Sequence, residues 1–177
     1  LYPSGLTASL IEAILETKVP YFDLSLQHAS RDHLRRMKRW GSSERFLERI
    51  AAIREMAPAA SFRSSFILGY PGETEDDHAE LLDFLREARL DWAGFFTYSA
   101  EEGTTAATMA NQVPSELALE RLREASALQD DITASRRDDM VGTIQSVLID
   151  APGVGRSPGE APEIDGVIHV PDTLTVG

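Results

Sequence analysis

Residues 62–74, Phe-Arg-Ser-Ser-Phe-Ile-Leu-Gly-Tyr-Pro-Gly-Glu-Thr, decide the fold of this chain. An apolar run ends at Leu68 and breaks into the turn Gly69-Tyr-Pro-Gly72, after which acidic residues open a helical pattern. This order predicts a buried strand that turns through two glycines into a helix N-terminus. Because ligands bind at such carboxyl ends of strands, we expect a ligand site here. A tight turn without any ligand role is the alternative.

The flanking sequence alternates helical and strand patterns. Strands are predicted over residues 21–26, 62–68 and 92–98, with a stub at 1–2, and helices over 7–16, 30–39, 44–56, 74–89 and 114–139. Strands separated by amphipathic helices indicate βα units around a parallel sheet. Three strands and a stub cannot close an eight-stranded barrel, which needs about 250 residues. We therefore predict the back half of a (β/α) barrel; a small open sheet would leave an unprotected edge.

The composition and the secondary-structure pattern of the sequence change after Tyr98. Residues 99–112 have loop composition, and short β-like runs at 143–149 and 167–170 follow the long helix, separated by turn signals. We therefore predict an α/β protein with three parts. Residues 1–112 form the C-terminal half of a TIM-like barrel, residues 113–140 form a connecting helix, and residues 141–177 form the start of a small, incomplete β domain.

Composition bounds the possible functions. The 177 residues are 42% hydrophobic and 26% charged, as in ordinary globular proteins, and no apolar run is long enough to span a membrane. A net charge of −12 argues against strong nucleic-acid binding. The absence of cysteine excludes disulfides, thiolate metal sites and cysteine nucleophiles within these residues. We expect no membrane partner and a cytoplasmic location.

Charge is distributed unevenly along the chain. Residues 31–54 hold eight Lys or Arg and three acids, a balance of +5, and this segment includes a basic cluster at 35–39. Residues 141–177 hold one Arg and five acids, a balance of −4. The basic cluster is either a solvated helix face or a surface that steers an acidic partner.

Several polar residues are candidates for a site at the carboxyl ends of the strands. The turn after Leu68 has no P-loop ending, and its acidic helix start would repel a phosphate. Arg63, in an otherwise apolar or small run, needs a carboxylate that either a ligand or the protein could provide. Gln27 and His28 end the preceding strand; catalytic and structural roles for His28 both stay open.

The other acids and histidines that the sequence singles out receive a possible position but no assigned role. Glu101 and Glu102 follow a strand and would lie at the rim of a barrel. His33, His78 and His169 are predicted on the surface and receive no role, since none has a partner at metal-ligand spacing. We therefore predict no metal ligands in this chain and name no catalytic residue.

Five blocks of sequence resemble the radical S-adenosylmethionine (SAM) methylthiotransferases. Four are residues 20–28, 37–41, 63–74 and 96–104, and the fifth is residues 155–157 together with 161–166, which resemble the C-terminal TRAM domain of the ribosomal-protein branch, RimO. The resemblance covers essentially the whole chain. It implies a partly open barrel that holds SAM and a [4Fe–4S] cluster, with a second cluster in an N-terminal domain. The cluster cysteines would lie upstream of Leu1, so this chain would be a C-terminal fragment that is inactive alone.

The resemblance also implies a reaction and a set of site residues. A 5′-deoxyadenosyl radical would abstract a hydrogen so that a methylthio group is attached to the β-carbon of an aspartate in a small-subunit ribosomal protein. The SAM site would be lined by Gln27, Ser30, Arg63, Phe66, Gly69, Gly72, Glu73 and Tyr98, with Arg63 facing the SAM carboxylate.

Three other functions stay open beside this one. The tRNA-modifying branch, MiaB, is the close alternative, but its RNA-binding module should be basic, whereas residues 141–177 carry −4. An acidic surface suits a basic ribosomal protein, so the RimO branch is favoured and that protein is the expected partner. A non-catalytic module that recruits a basic protein is the alternative from another class, and a generic barrel enzyme acting on a phosphorylated metabolite is a further enzyme hypothesis.

Overall fold

The computed structural model describes residues 1–18 and 20–177. In chain order, the elements are α1 (Ala8–Glu16), β1 (Tyr21–Gln27), α2 (Arg31–Arg36), α3 (Ser43–Met56), β2 (Ser61–Leu68), α4 (Glu75–Ala88), β3 (Trp92–Thr97), α5 (Ser115–Asp138), β4 (Leu148–Ala151), β5 (Val154–Arg156) and β6 (Ile168–His169). Short 3₁₀ turns occupy Pro3–Gly5 and Ala106–Thr108. The predicted helices and the three predicted full-length strands of the first 140 residues are therefore present, and their ends shift by at most three residues.

Strands β1, β2 and β3 form a parallel sheet in sequential order. In β1 and β2 every second side chain is buried, which is the alternation expected of a sheet covered on one face. The buried face carries Phe22, Phe62 and Phe66, which pack with apolar side chains of α3 and α4 into one core. The opposite face presents polar side chains such as Asp23 and Arg63.

The ends of the helices follow local sequence signals. The Thr74 hydroxyl accepts the backbone N–H of Asp77, and the Asp77 carboxylate accepts the backbone N–H of Thr74, which completes a capping box. Thr7 and Ser42 cap α1 and α3 through their hydroxyls. Ser30 occupies the N-cap position of α2, but its side chain makes no capping bond and donates to Asp77 instead.

A second sheet follows α5. Strands β4, β5 and β6 are antiparallel and short. The predicted strand over 143–149 was wrong for most of its length, because regular pairing begins only at Leu148. The predicted stub at 1–2 forms no regular strand, although Leu1 does form backbone hydrogen bonds with Asp23 and Ser25 of β1.

The segment 157–165 packs against the amino-terminal edge of the parallel sheet. The Asp165 carboxylate accepts from the Tyr21 hydroxyl and pairs with the Arg63 guanidinium at 3.3 Å. The indole N–H of Trp92 donates to the Gly159 carbonyl oxygen at 2.9 Å. One contact is therefore made at or near the start of each of the three strands, and this edge of the sheet is closed.

Within residues 1–18 and 20–177, none of the helices has the length and apolar character needed to cross a membrane.

Replacement of Asp165 by Asn tests the contact between the segment 157–165 and the parallel sheet. The Asp165 side chain is 1% exposed, so loss of its charge leaves part of the Arg63 guanidinium uncompensated. We expect the free energy of unfolding to fall by roughly 1.5–3 kcal/mol in urea titrations. The matched control is Asp150→Asn, which removes a half-exposed pair with Arg156 and should cost less than about 1 kcal/mol. Equal losses in the two variants would contradict this account.

Candidate functional site

A cleft of about 620 Å³ opens at the carboxyl edge of the parallel sheet. Its floor is formed by Ser65 and Ile67 of β2, and Gln27 and Tyr98 contribute from the ends of the neighbouring strands. The remaining lining residues come from β3 and the flanking segments: Met37, Arg39, Tyr70, Phe96, Thr97, Ser99, Glu101, Thr104 and Ala106. The volume and the mixture of aromatic and polar groups suit a small-molecule ligand.

A second cavity, of about 610 Å³, lies at the opposite edge of the sheet, between Trp92 and the segment 157–160. The amino-terminal edge of an α/β sheet is usually devoted to stability, whereas ligands bind at the carboxyl edge. We therefore take the cleft at the carboxyl edge as the candidate site.

Gln27 enters the cleft from a strained backbone. Its φ of 70° lies in the left-handed region, and the pairing of β1 with β2 becomes irregular between Leu24 and Gln27. The Gln27 amide donates to the Ser25 hydroxyl at 3.0 Å. A non-glycine residue held in this conformation costs free energy, and such strain concentrates at functional sites.

The turn after β2 is fixed from inside the protein. The Glu73 carboxylate accepts the backbone N–H of Gly69 and pairs at 3.1 Å with the guanidinium of Arg121 on α5. Burial raises the pKa of Glu73, while these two interactions oppose that rise. Gly69 has a φ of 76°, and a Cβ there would clash with the Cβ of Ala118. The turn therefore depends on glycine for both conformation and space.

Asp77 connects the turn to α2. Its carboxylate accepts from the Ser30 hydroxyl and from the Arg36 guanidinium, each at 2.5 Å, besides completing the capping box with Thr74. Burial disfavours the charged form, but the hydrogen bonds from Ser30 and Thr74 and the charge of Arg36 outweigh it and lower the pKa of Asp77 to about 2. The charged carboxylate thus holds α2 and α4 together behind the cleft.

Two histidines lie in the interior beside this carboxylate. His28 and His33 are both fully buried, with ring centroids 4.3 Å apart. Burial lowers the pKa of His33 to about 4 and that of His28 well below its usual value, so both rings are neutral near pH 7. His78 is also buried and hydrogen-bonds to Glu124 at 2.9 Å. The predicted surface positions of His33 and His78 were therefore wrong.

His28, His33 and Glu73 bring potential metal-ligand atoms within 4.8 Å of one another. The hydrogen bonds argue against a cation. His28 accepts the backbone N–H of Ser30 at Nδ1, and Arg36 lies 2.9 Å from Nδ1 of His33, so both neutral rings carry their proton on Nε2. The Glu73 carboxylate is already engaged by Arg121 and Gly69. With these protons in place the three residues are not arranged to ligate a cation, and the Nε2–H groups of both histidines are buried without a hydrogen-bond partner in the described part of the chain.

The structure brings only some of the predicted site residues to the cleft. Gln27 and Tyr98 line it, and Gly69 and Gly72 shape the turn beside it. Phe66 is fully buried against Phe84 and Phe95, on the opposite face of the sheet.

The other predicted side chains point elsewhere. Ser30 and Glu73 are engaged by the interior contacts described above. Arg63 lies on the open face near the start of β2, where Asp23 and Asp165 both neutralise it. The sequence left open whether a ligand or the protein provides the carboxylate partner of Arg63, and in the structure the protein provides it. The Arg63 side chain does not line the cleft.

The sequence did not identify Arg39 as a cleft residue or Arg121 as the partner of Glu73. Arg39 belongs to the basic cluster, which the structure divides: Arg35 is exposed, Arg36 pairs with Asp77, and Arg39 reaches the cleft. No local signal marks Arg39 as a cleft residue, because a helix that follows a strand normally ends at the amino-terminal edge of the sheet, away from the site.

Comparison with known proteins relates the chain to a family. Residues 1–85 match the family described as the Radical SAM superfamily. The chain is 46% identical to the ribosomal protein uS12 methylthiotransferase RimO of Saccharopolyspora erythraea over 100% of its length, and 46% identical to that of Moorella thermoacetica over 96%. The RimO of Mannheimia succiniciproducens is 47% identical over 96% of the chain. The chain spans 38–40% of the length of these three relatives.

A solved structure agrees on the fold. The radical SAM enzyme coproporphyrinogen III oxidase (HemN) from Escherichia coli superimposes with a TM-score of 0.63 over 89% of this chain and 43% of its own, at 14% identity. A parallel sheet covered by helices on one face, with a cleft at its carboxyl edge, is thus the radical SAM α/β fold. The chain is therefore related to the radical SAM superfamily through residues 1–85 and, along 96–100% of its length, to part of the RimO methylthiotransferases.

The family implies SAM and an iron–sulfur cluster, and the residues present fit these groups differently. The cleft has the volume of a small-molecule site, aromatic walls at Tyr70, Phe96 and Tyr98, and polar groups at Gln27 and Arg39, so its residues fit part of a SAM site. The cluster does not fit: its thiolate ligands cannot come from a sequence without cysteine.

Two glycine variants separate the conformational and steric demands of the turn. Gly72 has a φ of 81°, close to that of Gly69, but an added Cβ there would meet only the flexible Arg36 side chain at 3.5 Å. We expect Gly72→Ala to cost about 1–2 kcal/mol of unfolding free energy through backbone strain alone. Gly69→Ala should cost at least about 1 kcal/mol more because of the clash with Ala118.

Urea titrations of both variants, with Gly103→Ala as an exposed control of similar φ, measure these costs. Ala118→Gly should cost less in the Gly69→Ala background than in the wild-type protein, because there it also removes the clash. Equal destabilisation of Gly69→Ala and Gly72→Ala would rule out the steric contribution.

The buried histidines predict a loss of stability in acid. The pKa of His33 is about 4 in the folded protein and about 6.5 in the unfolded chain, so the unfolded chain binds more protons between these values. The free energy of unfolding should therefore fall as pH decreases from 6.5 to 4, by roughly 3 kcal/mol for His33. His28 acts in the same direction, whereas Glu73, with its raised pKa, acts in the opposite one.

Unfolding titrations of His33→Asn at several pH values isolate this contribution. The Asn oxygen can accept from Arg36 in place of Nδ1, so the pH slope should flatten while the fold is kept. His169→Asn, at an exposed position of β6, should leave the slope unchanged. A His33→Asn variant with the wild-type slope would refute the assignment.

Proposed function

We propose that this chain is part of a radical SAM methylthiotransferase that modifies a small-subunit ribosomal protein. The observation that carries the proposal is the match to RimO proteins at 45–47% identity over 94–100% of the chain. This match includes the second sheet as well as residues 1–85, which match the superfamily. It therefore supports the RimO branch in particular and not the fold alone.

The cleft supports this assignment on physical grounds. When bound, SAM and its cluster supply the radical chemistry of such enzymes. The role left to this chain is to bind and orient the small molecule at the carboxyl edge and to shield it from water. Tyr70 and Tyr98, whose rings meet edge to face at 5.3 Å, form an apolar wall suited to that task.

We propose that the methylthio group is placed on the β-carbon of an aspartate, and that two [4Fe–4S] clusters are held by cysteines outside these residues. In the proposed organisation, residues 1–112 form half of the barrel, residues 141–177 form the start of a TRAM domain, and the helix at residues 113–140 connects the two. Of the SAM-site residues implied by the resemblance, we retain Gln27 and Tyr98, which line the cleft, and Gly69 and Gly72, which shape the turn beside it.

Only some of the acids in residues 141–177 are accessible to a basic protein partner. Of the five acids in 141–177, Glu160 and Asp165 face inward and pair with Arg137 and Arg63. The other three, Asp150, Glu163 and Asp172, are more accessible, although Asp150 is paired with Arg156. The surface of the second sheet is thus mildly acidic, which still disfavours tRNA phosphates and permits a basic protein.

The test is a methylthiolation assay of the intact protein, reconstituted with its clusters, SAM, a sulfur source and a reductant. Purified ribosomal protein uS12 and bulk tRNA serve as parallel substrates, and mass spectrometry locates the modification. We expect one methylthio group on an aspartate of uS12 and none on tRNA. Modification of tRNA alone would assign the protein to the MiaB branch, and tight binding of uS12 without modification would favour a recruiting module.

A further inference from the structure

One guanidinium in the cleft has no carboxylate partner. Arg39 is half-buried and is the only cation that lines the cleft in the described part of the chain. No acidic side chain lies within 4 Å of it among residues 1–18 and 20–177, and its Nε atom is buried without a hydrogen-bond partner. A half-buried charge in this state costs free energy unless something else compensates it.

The other arginines around the site are compensated by the protein itself. Arg36 pairs with Asp77, Arg63 pairs with two aspartates, and Arg121 pairs with Glu73. The lack of a carboxylate partner is thus specific to Arg39 within this group.

The cleft does contain one carboxylate of its own. Among the described residues, Glu101 is the only acid that lines the cleft. It forms no ion pair with Arg39 and accepts from the Ser99 hydroxyl instead, at 3.0 Å. The protein therefore leaves the charge of Arg39 available to a ligand.

The Arg39 side chain is nevertheless held in place. One terminal nitrogen donates to the Ser25 hydroxyl at 3.0 Å, and the guanidinium carbon lies 5.1 Å from the centre of the Tyr2 ring. The Ser25 hydroxyl also accepts from the Gln27 amide at 3.0 Å. Arg39, Ser25 and Gln27 therefore form a polar row along the open face, which fixes the guanidinium before any ligand arrives.

We propose that Arg39 binds a ligand carboxylate in the cleft. A planar guanidinium with free N–H donors matches a carboxylate in both charge and geometry. This inference rests on the proposed function, which offers two sources of that group: the amino-acid portion of SAM and the aspartate of the acceptor protein. Arg39 then takes the carboxylate-binding role that the resemblance implied for Arg63, whose charge Asp23 and Asp165 neutralise.

The experiment compares matched ligands on the protein, with the ¹⁵N-labelled side-chain N–H signals of its arginines as the readout. SAM is titrated against decarboxylated SAM, and a basic peptide with one aspartate is titrated against the same peptide with asparagine. We expect the carboxylate-bearing member of one pair to shift the Arg39 signal saturably and to bind about ten- to hundredfold more tightly. Preference within the first pair identifies SAM as the source, and preference within the second identifies the acceptor.

Variants provide the second arm. Arg39→Gln keeps a donor for Ser25 and should abolish the preference within the pair, whereas Arg35→Gln, on the exposed face of α2, should leave it intact. Equal affinities within both pairs, or no binding by any probe, would overturn the proposal. Both outcomes are measured on the wild-type protein, so the test does not depend on the folding of a variant. Methylthiolation that proceeds despite equal affinities would remove this inference and leave the proposed function standing.

Discussion

The buried ion pair between Glu73 and Arg121 is the contact on which the carboxyl edge of the sheet depends. Both side chains are almost inaccessible, and the Glu73 carboxylate also accepts the backbone N–H of Gly69. One acid thus fixes the turn after β2 and the position of α5 together. Because removal of one partner of such a pair typically costs about 3–5 kcal/mol, the turn cannot move independently of the helix.

This constraint explains why the helix start is so acidic. The sequence Glu73-Thr-Glu-Asp-Asp77 suits a helix macrodipole, and capping alone would account for it. In the structure its first and last residues are structural anchors: Glu73 holds α5, and Asp77 holds α2 through Arg36 and Ser30. The local helix signal and the tertiary anchors are therefore built from the same five residues.

What the sequence could predict follows from the range of each interaction. Strand β2, the turn at Gly69–Gly72 and the capping box at Thr74 are local, and their periodicity and caps identified them. The partners of Arg63 and Glu73 could not be identified, because Asp165 and Arg121 are distant in sequence and carry no local mark. His33 was misplaced for the same reason: its position on a short polar helix indicates a surface, and only packing against His28 and Asp77 buries it.

The two edges of the parallel sheet divide stability from binding. At the amino-terminal edge, Tyr21, Arg63 and Trp92 are each satisfied by the segment 157–165, so their polar groups are already engaged within the protein. At the carboxyl edge, Gln27 is strained and Arg39 lacks a carboxylate, although both are held in place by Ser25. Since folding alone would favour neither the strain nor the unpaired charge, the carboxyl edge is where the fold leaves interactions for a ligand to complete.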